Sequence, residues 1–169
     1  MKRPGQLAAV VLLGAACRGG SPALDGTGRA LLTQTGSKDT IRFEVPVLAQ
    51  RCGDGRGVVI RGAQRGEGLL LWIRTAGQSV DTGRYPLLTR GDSVTARGAI
   101  AAVRFAVGPV SHGLTIDDGA ATVSQTTPTL SVAVSGHGIE QAPGSQRAAE
   151  LSFTRVVLAP DTASCRAQP

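Results

Sequence analysis

The chain has little of what most binding and catalytic sites are built from. Among its 169 residues there is no asparagine, there are only two histidines, and aromatic residues make up 3%. The absence of asparagine excludes N-glycosylation at Asn-x-Ser/Thr sequences and any site that requires an Asn side chain. Because aromatic residues are so few, we expect a hydrophobic core built mainly from Val, Leu, Ile and Ala.

The positive charge of the chain is modest and dispersed. The formal net charge is +6, and the arginines are scattered singly from Arg18 to Arg166 rather than gathered in a run. A nucleic-acid-binding protein concentrates positive charge on one face and adds aromatic side chains that stack on bases. Here the five aromatic residues lie far apart in the sequence. We therefore expect no nucleic-acid partner.

Alternation of apolar and polar residues is the dominant pattern, and it predicts β-strands. The segment from Ile41 to Val47 places apolar side chains on one face, and the segment from Leu69 to Arg74 does the same with Leu70 and Trp72 on the opposite face. No stretch after residue 17 combines a helical apolar stripe with helix caps. The sequence therefore predicts an all-β fold, an antiparallel β-sandwich of about 7–9 strands, with a small closed β-barrel as the alternative.

Three local expectations can be tested by a structure. Asp118-Gly119 is a favoured two-residue turn, so it predicts a β-hairpin between Gly113 and Ser124. Arg155 interrupts the apolar face of the last predicted strand, which favours a β-bulge there. Finally, residues 30–35 could add an edge strand to the domain.

The N-terminal segment has the features of an export signal. Lys2 and Arg3 precede an apolar run over residues 7–16, and small residues stand directly before Cys17. Ten residues cannot span about 30 Å of hydrocarbon as a helix. The pattern resembles the signal of a bacterial lipoprotein, in which cleavage occurs just before a cysteine that receives the lipid. The resemblance covers residues 1–17 and implies lipid attachment at Cys17. The same small residues also suit ordinary secretory cleavage, so secretion without a lipid stays open.

The cysteine count fits the lipoprotein interpretation. The chain has three cysteines, and an oxidising compartment would leave one of them unpaired. If Cys17 carries a lipid, Cys52 and Cys165 remain as a disulfide pair. No C-x-x-C motif occurs, which excludes a thioredoxin-like redox motif and a zinc ribbon.

These features predict the organisation of the precursor. We expect a signal peptide over residues 1–16, a lipid-anchored flexible linker rich in Gly, Ser, Thr and Pro over residues 17–38, and a single β domain over residues 39–169. The expected location is the cell envelope, where a membrane is the partner of the lipid anchor. Arg18, in place of an aspartate after the cysteine, favours the outer membrane over the inner one by analogy with familiar lipoproteins.

A search for catalytic chemistry finds no assembled motif. Two histidines, His112 and His137, cannot form a three-histidine zinc site, and we expect neither a metal nor a cofactor. Ser111 and Ser135 stand close to these histidines in sequence, but a nucleophile and its base have to meet in space. A small hydrolase that uses a Ser/His/Asp set therefore remains an alternative.

One surface feature indicates binding. Leu70 and Trp72, with Tyr85 as a third member, could form an exposed apolar patch, because aromatic side chains with apolar support recur in contacts with partners and glycans. Burial of these side chains between sheet layers is the interpretation that the sequence favours. The function we expect is an exported lipoprotein with a non-catalytic binding or envelope-structural module, whose ligand would be a protein, a glycan or a small molecule. A barrel that carries a hydrophobic ligand is a further alternative.

Overall fold

The structure is a computed structural model that describes residues 26–77, 79–142 and 144–165. It confirms the all-β class, because the described residues form ten strands and no helix. None of them forms a helix long and apolar enough to cross a membrane. The strands are β1 (Gly26–Gln34), β2 (Thr40–Cys52), β3 (Gly57–Gln64), β4 (Glu67–Arg74), β5 (Gly83–Pro86), β6 (Gly98–Val107), β7 (Val110–Gln125), β8 (Leu130–Glu140), β9 (Gln146–Val156) and β10 (Leu158–Ala163).

The sheet closes on itself as a barrel. Eight strands follow one another in the order β1-β9-β8-β7-β6-β4-β3-β2, and β1 and β2 are also paired. All these pairings are antiparallel, whereas the additional strand β10 runs parallel to β2. Closure gives each strand of the ring two neighbours, so the ring has no unpaired edge strand. The fold is therefore the barrel alternative, and the two-sheet sandwich that the sequence favoured is corrected.

Strand β1 is the element that closes the barrel. Its residues pair with β2 on one side, from Gly26↔Val47 to Thr33↔Thr40, and with β9 on the other. The expected linker over residues 17–38 is therefore too long, because its second half contains a strand of the ring rather than an edge strand. The expected signal peptide and Cys17 lie outside the described residues.

Alternating side chains fill the barrel interior. Leu69, Leu71 and Ile73 point inward from β4 as the alternation predicts, and all three are buried. The largest fully buried side chains include Tyr85 and Phe105, together with Phe153 from β9. An eight-stranded barrel is just wide enough for its side chains to fill the interior. The core is therefore packed by the chain itself.

The hairpin predicted at Asp118-Gly119 is absent. Residues 110–125 form one continuous strand, β7, which pairs with β6 up to Ile116 and with β8 from Leu114 to Gln125. The register between β7 and β8 shifts between Ile116 and Asp118, so Asp117 is the extra residue of a β-bulge. Asp118 and Gly119 follow the bulge as paired strand residues instead of forming a turn, and Gly119 has φ +122°.

The bulge predicted at Arg155 is confirmed. The register between β8 and β9 shifts between the pairs Leu130↔Val156 and Val132↔Phe153, and Arg155 has φ +52°. The extra residue lets the strand keep Phe153 and Val156 inside the barrel although they are three positions apart. The loop before β9 is short, since β8 continues to Glu140 and β9 begins at Gln146.

The predicted pair of Cys52 and Cys165 forms a disulfide. Its Cα atoms lie 5.3 Å apart, and the two residues are separated by 113 positions in sequence. The bond joins the end of β2 to the segment that follows β10. Together with Val59 and Ala163 it forms a small apolar cluster outside the main core, against which Trp72 packs. The C-terminal part of the domain is thus fastened to the outer face of the barrel.

Candidate functional site

The candidate site is a groove on the outer face of β3, β4 and β6, with β7 at its far side. Leu70 and Trp72 point outward from β4, and Leu70 is 39% exposed rather than buried between sheet layers. Strand register sets Ala102 of β6 beside Leu70, and Ile100 beside Trp72. These side chains give the groove an apolar floor, and its volume is about 910 Å³.

Glycines make the groove deep at one end. The register places Gly68 of β4 and Gly113 of β7 on either side of Arg104, so the row across the three strands carries only one side chain. Because glycine has no side chain, the space on the Gly68 side of Arg104 stays open, whereas the Gln141 side chain lies against Gly113 on the other side. The sequence could not reveal this row, since it depends on pairing between strands far apart in the chain.

Three arginines surround the apolar floor. Arg61, Arg90 and Arg104 line the groove, and no aspartate or glutamate does so. Arg61 donates a hydrogen bond to Gln50 at 2.7 Å, and Nε of Arg104 donates to Ser111 at 3.0 Å. Within residues 26–77, 79–142 and 144–165 no carboxylate forms an ion pair with any of the three. The groove therefore presents positive charge that no acidic side chain offsets.

Trp72 forms the other end of the groove. Its ring packs against the disulfide cluster on one side, and the Arg74 guanidinium lies 5.2 Å from the ring centroid. The indole Nε1 is buried and has no hydrogen-bond partner in the described part of the chain. Because a buried N–H normally has a partner, this atom is an unsatisfied donor beside the groove.

Tyr85, the third predicted member of the patch, lies elsewhere. It is completely buried in β5, and its hydroxyl donates to the Asp81 carbonyl at 3.0 Å and accepts from the Asp81 N–H at 3.1 Å. The Arg97 guanidinium lies 4.4 Å from its ring centroid. Burial with both hydroxyl functions satisfied makes Tyr85 a structural residue, and the patch is reduced to Leu70 and Trp72.

A polar cluster at one end of the barrel was missed by sequence reasoning. Glu140 is 1% exposed and lies between Arg147 and His112, because Nε of Arg147 donates to its Oε2 at 2.7 Å and His112 Nδ1 contacts its Oε1. The His112 ring stacks on Phe105 with centroids 5.3 Å apart. His112 Nδ1 also lies 3.2 Å from the Ala142 carbonyl oxygen.

The structure does not bring together a Ser/His/Asp set around His112. His112 points toward the barrel interior with Leu114, whereas Ser111 points outward and bonds Arg104. The carboxylate beside His112 is Glu140, and no serine hydroxyl bonds the imidazole among the described residues. This part of the hydrolase alternative therefore lacks its nucleophile.

The second histidine lies on the open surface. His137 and Ser135 both point outward from β8, and His137 Nδ1 lies 4.0 Å from an Asp118 carboxylate oxygen, with both side chains more than half exposed. In the described part of the chain, Ser135 forms no hydrogen bond with His137. An exposed arrangement without a serine–histidine bond gives the serine no activation.

The loop from Thr89 to Ala96 is ordered by Asp92. Its carboxylate accepts hydrogen bonds from the backbone N–H and the hydroxyl of Thr95 at 2.8 Å and 2.7 Å, and from the Val94 N–H at 2.9 Å. The Thr95 bonds are the main cause that lowers the pKa of Asp92, with further contributions from Val94 and the Arg74 charge. The loop holds Arg90 at the groove through these local bonds.

Beside the groove, the surface has three further depressions, and the barrel interior holds the side chains of the core. The described residues contain no group of three or more His, Cys, Asp or Glu side chains that could hold a metal ion.

Comparison of the chain with protein-family models, curated proteins and solved structures finds no match.

Proposed function

We propose that the chain is an exported lipoprotein whose barrel is a non-catalytic binding module of the cell envelope. The observation that carries this proposal is the Cys52–Cys165 disulfide. This disulfide joins two of the three cysteines of the chain, so Cys17 is the cysteine that remains. Cys17 is also the residue to which the leader pattern assigns the lipid.

The position of β1 supports a tethered barrel. Eight residues separate Cys17 from Gly26, where β1 begins, and they could reach at most about 26–29 Å when extended. A lipid on Cys17 would therefore hold the barrel close to a membrane surface. Arg18 favours the outer membrane as that surface, by the analogy with other lipoproteins.

The groove supports binding rather than catalysis. It combines an apolar floor with unpaired arginines, while neither histidine has a serine hydroxyl as a hydrogen-bond partner in the described part of the chain. Concave apolar sites with a few convergent polar groups are typical of ligand binding. We therefore assign binding to the groove and leave the polar cluster at Glu140 a structural role.

Metabolic labelling with a fatty-acid analogue tests the proposal. The full-length chain, expressed in a bacterial host, should incorporate the label and fractionate with membranes, and Cys17→Ala should abolish both. Ser21→Ala, a matched change in the same segment, should keep both. An unlabelled, soluble wild-type product that starts at Cys17 would show that the chain is secreted without a lipid and would overturn the proposal.

A further inference from the structure

We propose that the groove binds an anionic amphiphile, an aliphatic carboxylate whose headgroup contacts Arg104 and whose chain runs toward Trp72. This inference rests on the proposed binding function and adds the chemical class of the ligand. The juxtaposition that carries it is an apolar strip with Arg104, which has no carboxylate partner among the described residues, at one end and the only tryptophan of the chain at the other.

The strip has a defined direction and length. Gly68, Leu70 and Trp72 follow one another on the outer face of β4, and Gly68 pairs with Arg104 while Trp72 pairs with Ile100. Four residue steps along a strand cover about 13 Å, which suits a medium-length aliphatic chain. Leu70 and Ala102 lie between the two ends and provide apolar contact along this distance.

Charge selects the headgroup. Arg104 lies beside Gly68 at one end of the strip, whereas Arg61 lies beside Leu70 at its middle and donates a hydrogen bond to Gln50 of β2. Neither has a carboxylate partner among the described residues, and no acidic side chain lines the groove. A guanidinium matches the planar, two-oxygen geometry of a carboxylate and can donate two parallel hydrogen bonds to it.

The groove also leaves room for the headgroup. A carboxylate can approach the guanidinium from the Gly68 side of Arg104, whereas the Gln141 side chain lies against Gly113 on the other side. Nε of Arg104 is held by Ser111, which fixes the position of the side chain and leaves its terminal nitrogens for a ligand. A cationic amphiphile would instead face three arginines and no acidic side chain among the residues that line the groove.

The single tryptophan provides a direct assay. We expect decanoate, kept below its micelle concentration, to change the fluorescence of the purified full chain saturably, because Trp72 is the only source of indole emission. Decyltrimethylammonium and the uncharged decyl maltoside should bind at least about tenfold more weakly. Arg104→Gln should weaken decanoate binding about fivefold to tenfold, a loss that corresponds to roughly 1–1.4 kcal/mol.

A matched control is available on the far side of the barrel. Arg42 lies outside the groove and lines another surface depression, so Arg42→Gln removes the same charge without touching the proposed ligand. Its affinity for decanoate should equal that of the wild type. Circular dichroism of all variants shows whether a weaker affinity comes from a lost contact or from a lost fold. An Arg104→Lys variant that binds decanoate more tightly than Arg104→Gln would support a charge contact.

Several results would overturn the proposal. Equal binding of decyl maltoside would show a groove that accepts amphiphiles without selecting charge. Equal affinity of Arg104→Gln and Arg42→Gln would place the ligand elsewhere. A response to phosphatidylglycerol vesicles but not to decanoate would assign the surface to a membrane. Each result leaves the labelling of Cys17 untouched, so failure of this inference is distinguishable from failure of the proposed lipoprotein function.

Discussion

Glu140 is the residue whose environment departs most from that of an ordinary strand position. Its carboxylate is buried at one end of the barrel and is compensated by Arg147, while His112 closes the site toward solvent at 16% side-chain exposure. The Arg147 guanidinium also lies 5.3 Å from the Phe105 ring centroid. Burial of a charge is costly unless it is paired and hydrogen-bonded, so each member of this cluster depends on the others.

We predict that Glu140→Gln destabilises the barrel by about 3–5 kcal/mol. Glutamine keeps the shape of the side chain but removes the charge, which leaves the buried Arg147 uncompensated. Urea unfolding followed by circular dichroism measures the loss. Glu150→Gln is the matched control, because Glu150 is exposed on the outer face of β9. A loss below about 1 kcal/mol for Glu140→Gln would show that the buried pair is dispensable.

Asp92 provides a pH-dependent contribution to stability. Its folded-state pKa lies below the ordinary aspartate value of about 3.9, because the Thr95 N–H and hydroxyl bond the ionised carboxylate. A lowered pKa contributes stability above the unfolded-state value, and this stability is lost as the pH falls through the folded-state value. The contribution should therefore be present at neutral pH and decline below about pH 4.

Asp92→Ala tests this contribution. The difference in free energy of unfolding between wild type and variant should be largest near neutral pH and should shrink on acidification, because the wild type alone loses the ionised carboxylate. Denaturant melts at a series of pH values give the difference directly. Asp161→Ala, at an exposed position in β10, should show no such trend. A difference for Asp92→Ala that stays constant with pH would refute the assignment.

Among the elements, β7 shows a limit of structure prediction from local sequence patterns. Leu114 and Ile116 have to share the barrel interior with Ala121 and Val123, although the second pair is an odd number of positions from the first. A hairpin at Asp118-Gly119 would satisfy this pattern, and so does a continuous strand with one bulge. The choice between them is made by pairing with β6 and β8, which a local pattern does not contain.

Gly119→Ala tests the close approach of β7 to β8 beside the bulge. Gly119 has φ +122°, and a Cβ there would overlap the Ser135 carbonyl oxygen of β8. We expect a loss of about 2–4 kcal/mol, from backbone strain and from the displaced strand together. Gly36→Ala is the matched control, because Gly36 also has positive φ, +79°, but faces open space. Its loss should be only about 1 kcal/mol, and equal losses would exclude the close approach.

At the scale of the whole molecule, the sequence predicted which face of a strand a side chain occupies better than it predicted which strands lie side by side. The outward position of Leu70 and Trp72, the inward face of β4 and the bulge at Arg155 all follow from alternation within one strand. Closure of the barrel follows instead from β1 pairing with β9, more than a hundred residues later. The groove has the same origin, since Gly68, Arg104 and Gly113 meet only through long-range register.

The disulfide is the device that should stabilise this long-range arrangement most. It joins residues 113 positions apart, and the chain-entropy model assigns such a loop about 4–5 kcal/mol. We predict that the Cys52→Ala/Cys165→Ala variant loses about this much free energy of unfolding. Its Trp72 emission should also shift toward that of exposed indole, because the ring packs against the bridge. Denaturant melts followed by fluorescence report both effects, and adding a reductant to the wild type should reproduce them. If stability fell while Trp72 emission stayed unchanged, the bridge would constrain only the unfolded chain, and one end of the groove would be independent of it.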